Sequence, residues 1–194
     1  MNNKTYTNNN SDSDSDDEKR IKVVQNNIYF YCPVTVKNIL QLNVELESVQ
    51  QKIFQKDLFD TTLDFINVYI HSDGGDLFAG LSGMSYINSM ITHVNTVIDG
   101  FVASAATLIA LGGHTIYMQQ YATILIHQLS TGFYGKFEEF KDEYNNNTQT
   151  NNKIKSIYKD KTNIPEKQLN QYFMKDIYLT AETCKLYNIV HHVF

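Results

Sequence analysis

Residues 95–113 read NTVIDGFVASAATLIALGG. The first ten form a β-rich strand that runs into a sharp turn. From Ala103 the chain becomes an almost wholly apolar helix closed by Gly112 and Gly113. A helix with no polar face has to be buried. A strand feeding a buried helix is the repeating step of an α/β protein, and the flanking sequence supplies more such steps.

Upstream, FINVYI at 65–70 is a short apolar strand, expected to be covered on both faces. It ends in HSDGGD, a glycine turn, and continues as a helix over LFAGLSGMSYINSMI. Downstream, HTIYMQQYATILIHQ at 114–128 gives two short strands around a polar turn. Residues 22–31 are β-prone, and Pro33 breaks that run. Val36, Ile39, Leu40, Val44, Leu46 and Val49 then recur at spacings of an amphipathic helix over 36–54. Residues 136–160 form a charged, helix-like stretch, 165–175 another helix, and TAETCKLYNI the last one. Strands alternating with helices predict an α/β fold with a largely parallel sheet. No internal repeat is visible.

Composition agrees with one soluble domain over 21–194. The chain has 194 residues, 42% hydrophobic and 19% charged. A chain of this length buries roughly 70% of its unfolded surface and needs no disulfide or metal staple. Residues 1–20, with Asp12, Asp14, Asp16, Asp17 and Glu18 against Lys4, Lys19 and Arg20, form a low-complexity acidic tail expected to be disordered. The net charge of −5 offers no basic footprint for nucleic acid. No apolar run is long enough to span a membrane, and the polar start resembles neither a signal nor a transit peptide. Cys32 and Cys184 are far apart and make no CxxC, so neither a metal site nor a redox pair is implied. A reducing, cytoplasmic setting is the expectation.

Three local features carry chemical potential. Ser72-Asp73-Gly74-Gly75 ends a strand and enters a helix. A glycine pair there presents backbone N–H groups that bind an anion, or it is an ordinary tight turn. Ser104 places one small hydroxyl at the strand-to-helix bend, as in a nucleophile elbow, although GxSxG is absent. The competing reading is a serine N-cap. His127 ends the apolar strand ILI, where it serves as a general base or as a buried, hydrogen-bonded histidine. A base needs an orienting acceptor, and Asp176, just before the N-cap candidate Thr180, is either that acceptor or a plain loop carboxylate. His71, His93, His114, His191 and His192 lack metal-ligand spacing.

Together these segments resemble the proteolytic subunit of the Clp protease, a self-compartmentalising serine peptidase. The likeness spans roughly residues 22–194 and is carried, in order, by YIHSDGGDLFAGLSGMSYI, GFVASAATLIALGG, LIHQL and MKDIYLTAETCKLYNIVHHV. The resemblance implies Ser104 as nucleophile, His127 as general base and Asp176 as the residue orienting it. It implies the N–H groups of Gly75 and Ala105 as the oxyanion hole, and a peptide bound as an added strand between Asp76-Leu77 and Leu129. The implied fold is of repeated ββα units with a projecting handle helix. The implied partners are unfolded polypeptides, further copies in a homo-oligomeric ring and an AAA+ Clp ATPase. No cofactor, metal, nucleic acid or membrane is implied. Three departures mark the sequence: Asp73 and Leu129 stand where the family has proline, and the handle carries the polar run NNNTQTNN at 145–152. Two other readings keep the fold and change the task. One is a noncatalytic ring subunit, and the other an ATPase-independent, prohead-type protease.

Overall fold

A computed structural model describes residues 21–55 and 65–194; the acidic tail over 1–20 lies outside the described residues. The β-prone run near the start is a hairpin. Strands β1 (Ile21–Val24) and β2 (Asn27–Phe30) pair antiparallel around Gln25-Asn26, with Gln25 at φ 55°. Helix α1 (Val36–Phe54) starts at Thr35, whose side chain accepts from the Asn38 N–H. It buries Ile39, Leu42, Leu46 and Val49. Val36, Leu40 and Val44, also expected on the core face, are instead 69%, 63% and 58% exposed. They form a second stripe at four-residue spacing, rotated away from the first.

Strand β3 (Phe65–Ser72) pairs parallel with β2. It is covered on one face, contrary to expectation: Ile66, Val68 and Ile70 are buried, while His71 is exposed and Tyr69 stacks on Tyr29 at 5.0 Å. Helix α2 (Leu77–Ser89) follows and packs on α1 and on α3 (Ala105–Leu111). The approach to α3 is close at Gly80, where an added Cβ would lie 2.8 Å from the Ala105 carbonyl oxygen.

The long strand β4 (His93–Ala103) organises the sheet. Its first half, Asn95–Ile98, pairs parallel with β5 (Thr115–Met118). Its second half, Phe101–Ala103, pairs parallel with β6 (Thr123–Ile126). Opposite β3 the register slips between Ile98 and Val102, with Gly100 at φ 78°. The slip turns the strand's end from one neighbour to the other, a usual consequence of an irregularity in a ladder. Strands β5 and β6 are thus not partners of each other. Both lie on β4, and the polar turn only carries the chain between them.

Helix α4 (Phe137–Lys161) projects: of its 25 residues only Ile154 and Tyr158 are buried. Helix α5 (Glu166–Met174), strand β7 (Ile177–Thr180), helix α6 (Ala181–Leu186) and strand β8 (His192–Val193) complete the chain. The sheet order is β1-β2-β3-β4-β5-β8, with β6 and then β7 branching from the end of β4. All pairs are parallel except β1–β2 and β6–β7. The α/β architecture with a largely parallel sheet is therefore the one expected.

Candidate active site

Ser104 sits between the end of β4 and the start of α3 with φ 55° and ψ −128°. A non-glycine residue there stores roughly 1–3 kcal/mol of backbone strain. Its surroundings hold it. The Ser104 N–H donates to the Leu125 carbonyl at 3.0 Å, and its own carbonyl accepts from the Thr107 N–H at 3.0 Å and the Thr107 hydroxyl at 2.6 Å. The hydroxyl of Ser104 makes no cap hydrogen bond, so the N-cap reading does not describe its side chain. It faces a cleft instead.

The glycine pair lies directly beside it. Gly74 and Gly75 have φ 94° and 145°, which L side chains rarely adopt. A Cβ on Gly74 would sit 2.7 Å from both the Ala103 carbonyl oxygen and Ser104 Cβ. One on Gly75 would sit 2.3 Å from the Val34 carbonyl oxygen. The turn is clamped from the other side: the Val34 N–H donates to the Gly74 carbonyl, and the Asp76 N–H to the Val34 carbonyl, both at 2.8 Å. The N–H groups of Gly75 and Ala105 have no partner among the described residues. Two unpaired donors and a helix start beside one hydroxyl suit a group that develops negative charge.

His127 follows β6 and lines the same cleft as Ser104 and Gly75. Asp176 precedes β7, a strand the sequence did not reveal. The β6–β7 ladder pairs Ile126 with Ile177. His127 and Asp176 each adjoin that last pair of the ladder, and both line a second, adjoining hollow. His127 Nδ1 lies 2.6 Å from the carbonyl oxygen of Gln128. Among the described residues Asp176 makes no hydrogen bond to it, and its side chain is exposed.

Asp76, Leu77 and Leu129 line the cleft as well. Their backbone groups are partly committed. The Asp76 carbonyl accepts from the Gly80 N–H, and the Leu129 N–H donates to Asn151 Oδ1 at 3.2 Å. The contribution of α4 was not foreseen. Glu143, Asn147, Thr150, Ile154 and Tyr158 recur at spacings of three and four and turn one face of that helix to the cleft. An apolar-periodicity reading misses such a stripe because its first three members are polar. The cleft encloses about 490 Å³.

A Clp protease family profile matches residues 34–194, a span that includes every candidate residue above. The chain belongs to the Clp protease family. It is 30% identical over 155 residues to the ATP-dependent Clp protease proteolytic subunit 2 of Borreliella burgdorferi, covering 77% of this chain and 78% of that one. Among solved structures it resembles a ClpP1 of Listeria monocytogenes carrying one Asn-to-Asp substitution. The TM-score there is 0.74 at 20% identity, over 88% of this chain and 91% of that one. The Clp protease match begins after the β1–β2 hairpin. No described helix is long and apolar enough to cross a membrane.

Proposed function

We propose that this chain is a Clp-type serine endopeptidase that hydrolyses peptide bonds of unfolded proteins inside a ring of identical subunits. The observation that carries the reading is the strained turn at Ser104, with an unbonded hydroxyl beside two unpaired N–H groups. His127, on the same cleft, removes the Ser104 proton as the oxygen attacks the peptide carbonyl. The N–H groups of Gly75 and Ala105 receive the oxyanion. His127 then gives the proton to the leaving amine, and water releases the acyl group by the reverse sequence. Asp176 orients the imidazole. To do so it replaces the Gln128 carbonyl at Nδ1; both residues line the hollow next to the cleft.

Ring assembly is supported by apolar surface that the single chain leaves bare: Val36, Leu40 and Val44 on α1, and Phe137, Phe140 and Tyr144 on α4. Surface of this kind marks contact with another protein. A Clp ATPase partner and a cytoplasmic setting belong to the same proposal and rest on family membership. The second reading, a noncatalytic ring subunit, is favoured by one observation: His127 Nδ1 meets its neighbour's carbonyl rather than Asp176.

The two readings part in one assay. Hydrolysis of a denatured protein substrate is followed with purified protein whose assembly state is known from its native mass. Cleavage that is lost in His127→Ala and reduced in Asp176→Asn supports the peptidase. A ring that cleaves nothing, with or without a Clp ATPase, supports the structural subunit.

A further inference from the structure

The cleft beside Ser104 has a floor and a rim of different character. Leu108, Ile154 and Tyr158 make the floor, and all three are buried. The Tyr158 hydroxyl is already bonded to Thr107 Oγ1, and burial pushes its pKa up to about 12. The floor thus offers a peptide only apolar surface. The rim is acidic. Asp73 and Asp76 stand on the Gly75 side and Glu143 on the α4 side, and among the described residues no Lys or Arg lines the cleft.

Asp76 is spent as the N-cap of α2, accepting from the Ala79 N–H at 2.8 Å. Glu143 is partly buried and, among the described residues, accepts from Asn147 alone, at 3.1 Å through Oε1. Its other oxygen is unpaired among the described residues, as is the Asp73 carboxylate. The lysines of α4 do not answer them. Lys141 pairs with Glu138, Lys155 reaches Asn170, Lys159 pairs with Glu166, Lys161 reaches Asn88, and Lys153 does not line the cleft.

We propose that this cleft selects a long basic side chain, lysine or arginine, in the peptide segment bound beside Ser104. The inference rests on the peptidase reading and adds its substrate class. Such a side chain lays its methylene stem over Leu108, Ile154 and Tyr158 and brings its cation to Glu143, with Asp73 contributing from the opposite wall. A carboxylate in place of the family's proline at Asp73 then has a use: it adds negative potential where a cationic peptide enters. An acidic side chain at the same position meets the Asp73 and Glu143 carboxylates and is disfavoured.

The test separates binding from chemistry. Short peptides identical except for one residue, Lys, norleucine or Glu, are titrated into Ser104→Ala protein, whose cleft is intact but whose hydroxyl is gone. The Lys peptide is expected to bind roughly tenfold more tightly than the norleucine peptide, which has the same stem without the charge, and the Glu peptide more weakly than either. The Lys advantage shrinks at 0.5 M salt, because the rim is open to solvent. Adding Glu143→Gln removes most of it, whereas Glu138→Gln, on the same helix but paired with Lys141, leaves it in place. Equal or tighter binding of the norleucine peptide by the Ser104→Ala protein overturns the proposal, as does an advantage that survives Glu143→Gln together with Asp73→Asn. Cleavage of the same peptides by the unaltered protein reports separately on Ser104: a Lys preference in binding without any cleavage keeps the cleft and discards the peptidase.

Discussion

The two walls of the cleft are built in different ways. The Ser104 wall is made of core. β4, α3 and the glycine turn are fixed by ladder bonds, by buried Ala105, Ala106 and Leu108, and by glycines that no side chain replaces without a clash. The His127 wall is made of surface. Residues 128–140 are almost all exposed, His127 bonds to its own neighbour, and Leu129 is held by one side chain of α4. The contrast is that Ser104 and the N–H groups of Gly75 and Ala105 are held in place by packing within this one chain. His127, by contrast, leads into a segment whose aromatic residues Phe133, Phe137 and Phe140 are bare.

The largest expected effect tests the rigid wall. Ile109→Ala removes a fully buried side chain from α3 and should cost about 2–5 kcal/mol of stability. Phe140→Ala on α4, by contrast, should stay within about 0.5 kcal/mol for the unassembled chain. Denaturant titration of both variants at low protein concentration measures the difference, and equal losses would erase the contrast.

Next comes geometry. In Gly74→Ala a methyl group is forced to 2.7 Å from Ser104 Cβ, so kcat/KM should fall about 100-fold while KM changes little. A fall confined to KM would place the turn in binding alone.

The exposed wall gives a smaller and opposite effect. Asn151→Ala releases the Leu129 N–H for a substrate strand and should raise kcat/KM about threefold, the worth of one hydrogen bond. No change would mean that Asn151 does not compete with substrate.

The smallest effect asks whether the rigid half reaches the far edge of the sheet. There His191 Nδ1 accepts the Ile116 N–H at 2.9 Å while the His191 N–H donates to the Ile116 carbonyl at 2.8 Å. Burial, helped by His192 and Lys185, holds the His191 pKa below its ordinary value of 6.5. The unfolded chain therefore takes up this proton first. Stability is fully present above about pH 6.5 and declines as pH falls from there through the folded value. Thermal unfolding from pH 8 to pH 5 should show this decline, and His191→Gln should flatten it.

The sequence revealed the rigid wall and much less of the other. Residues 95–113 announce a buried strand–turn–helix step because almost every position is apolar or small. Ser104 could thus be offered from local pattern, and Gly75 and Ala105 from family likeness. Asp176 could be offered from the residues as an acceptor or a plain loop carboxylate, and likeness alone chose between the two. Its position in one hollow with His127 comes from β7, a four-residue strand whose pairing is long-range and has no local signature. The α1 stripe of Val36, Leu40 and Val44 misled for a related reason. Apolar spacing shows that a face is to be covered, not whether the cover comes from the same chain. The cleft face of α4 stayed hidden because Glu143, Asn147 and Thr150 are polar, and hydropathy marks only what avoids water.

If Ser104 is an activated nucleophile, a fluorophosphonate labels it. The assembled protein is treated with the reagent, its intact mass is measured, and the modified peptide is sequenced beside Ser104→Ala and His127→Ala controls. One adduct per subunit, on Ser104, lost in both variants, is the expected result. An assembled ring that takes up no reagent, or one labelled elsewhere with Ser104 untouched, would contradict it.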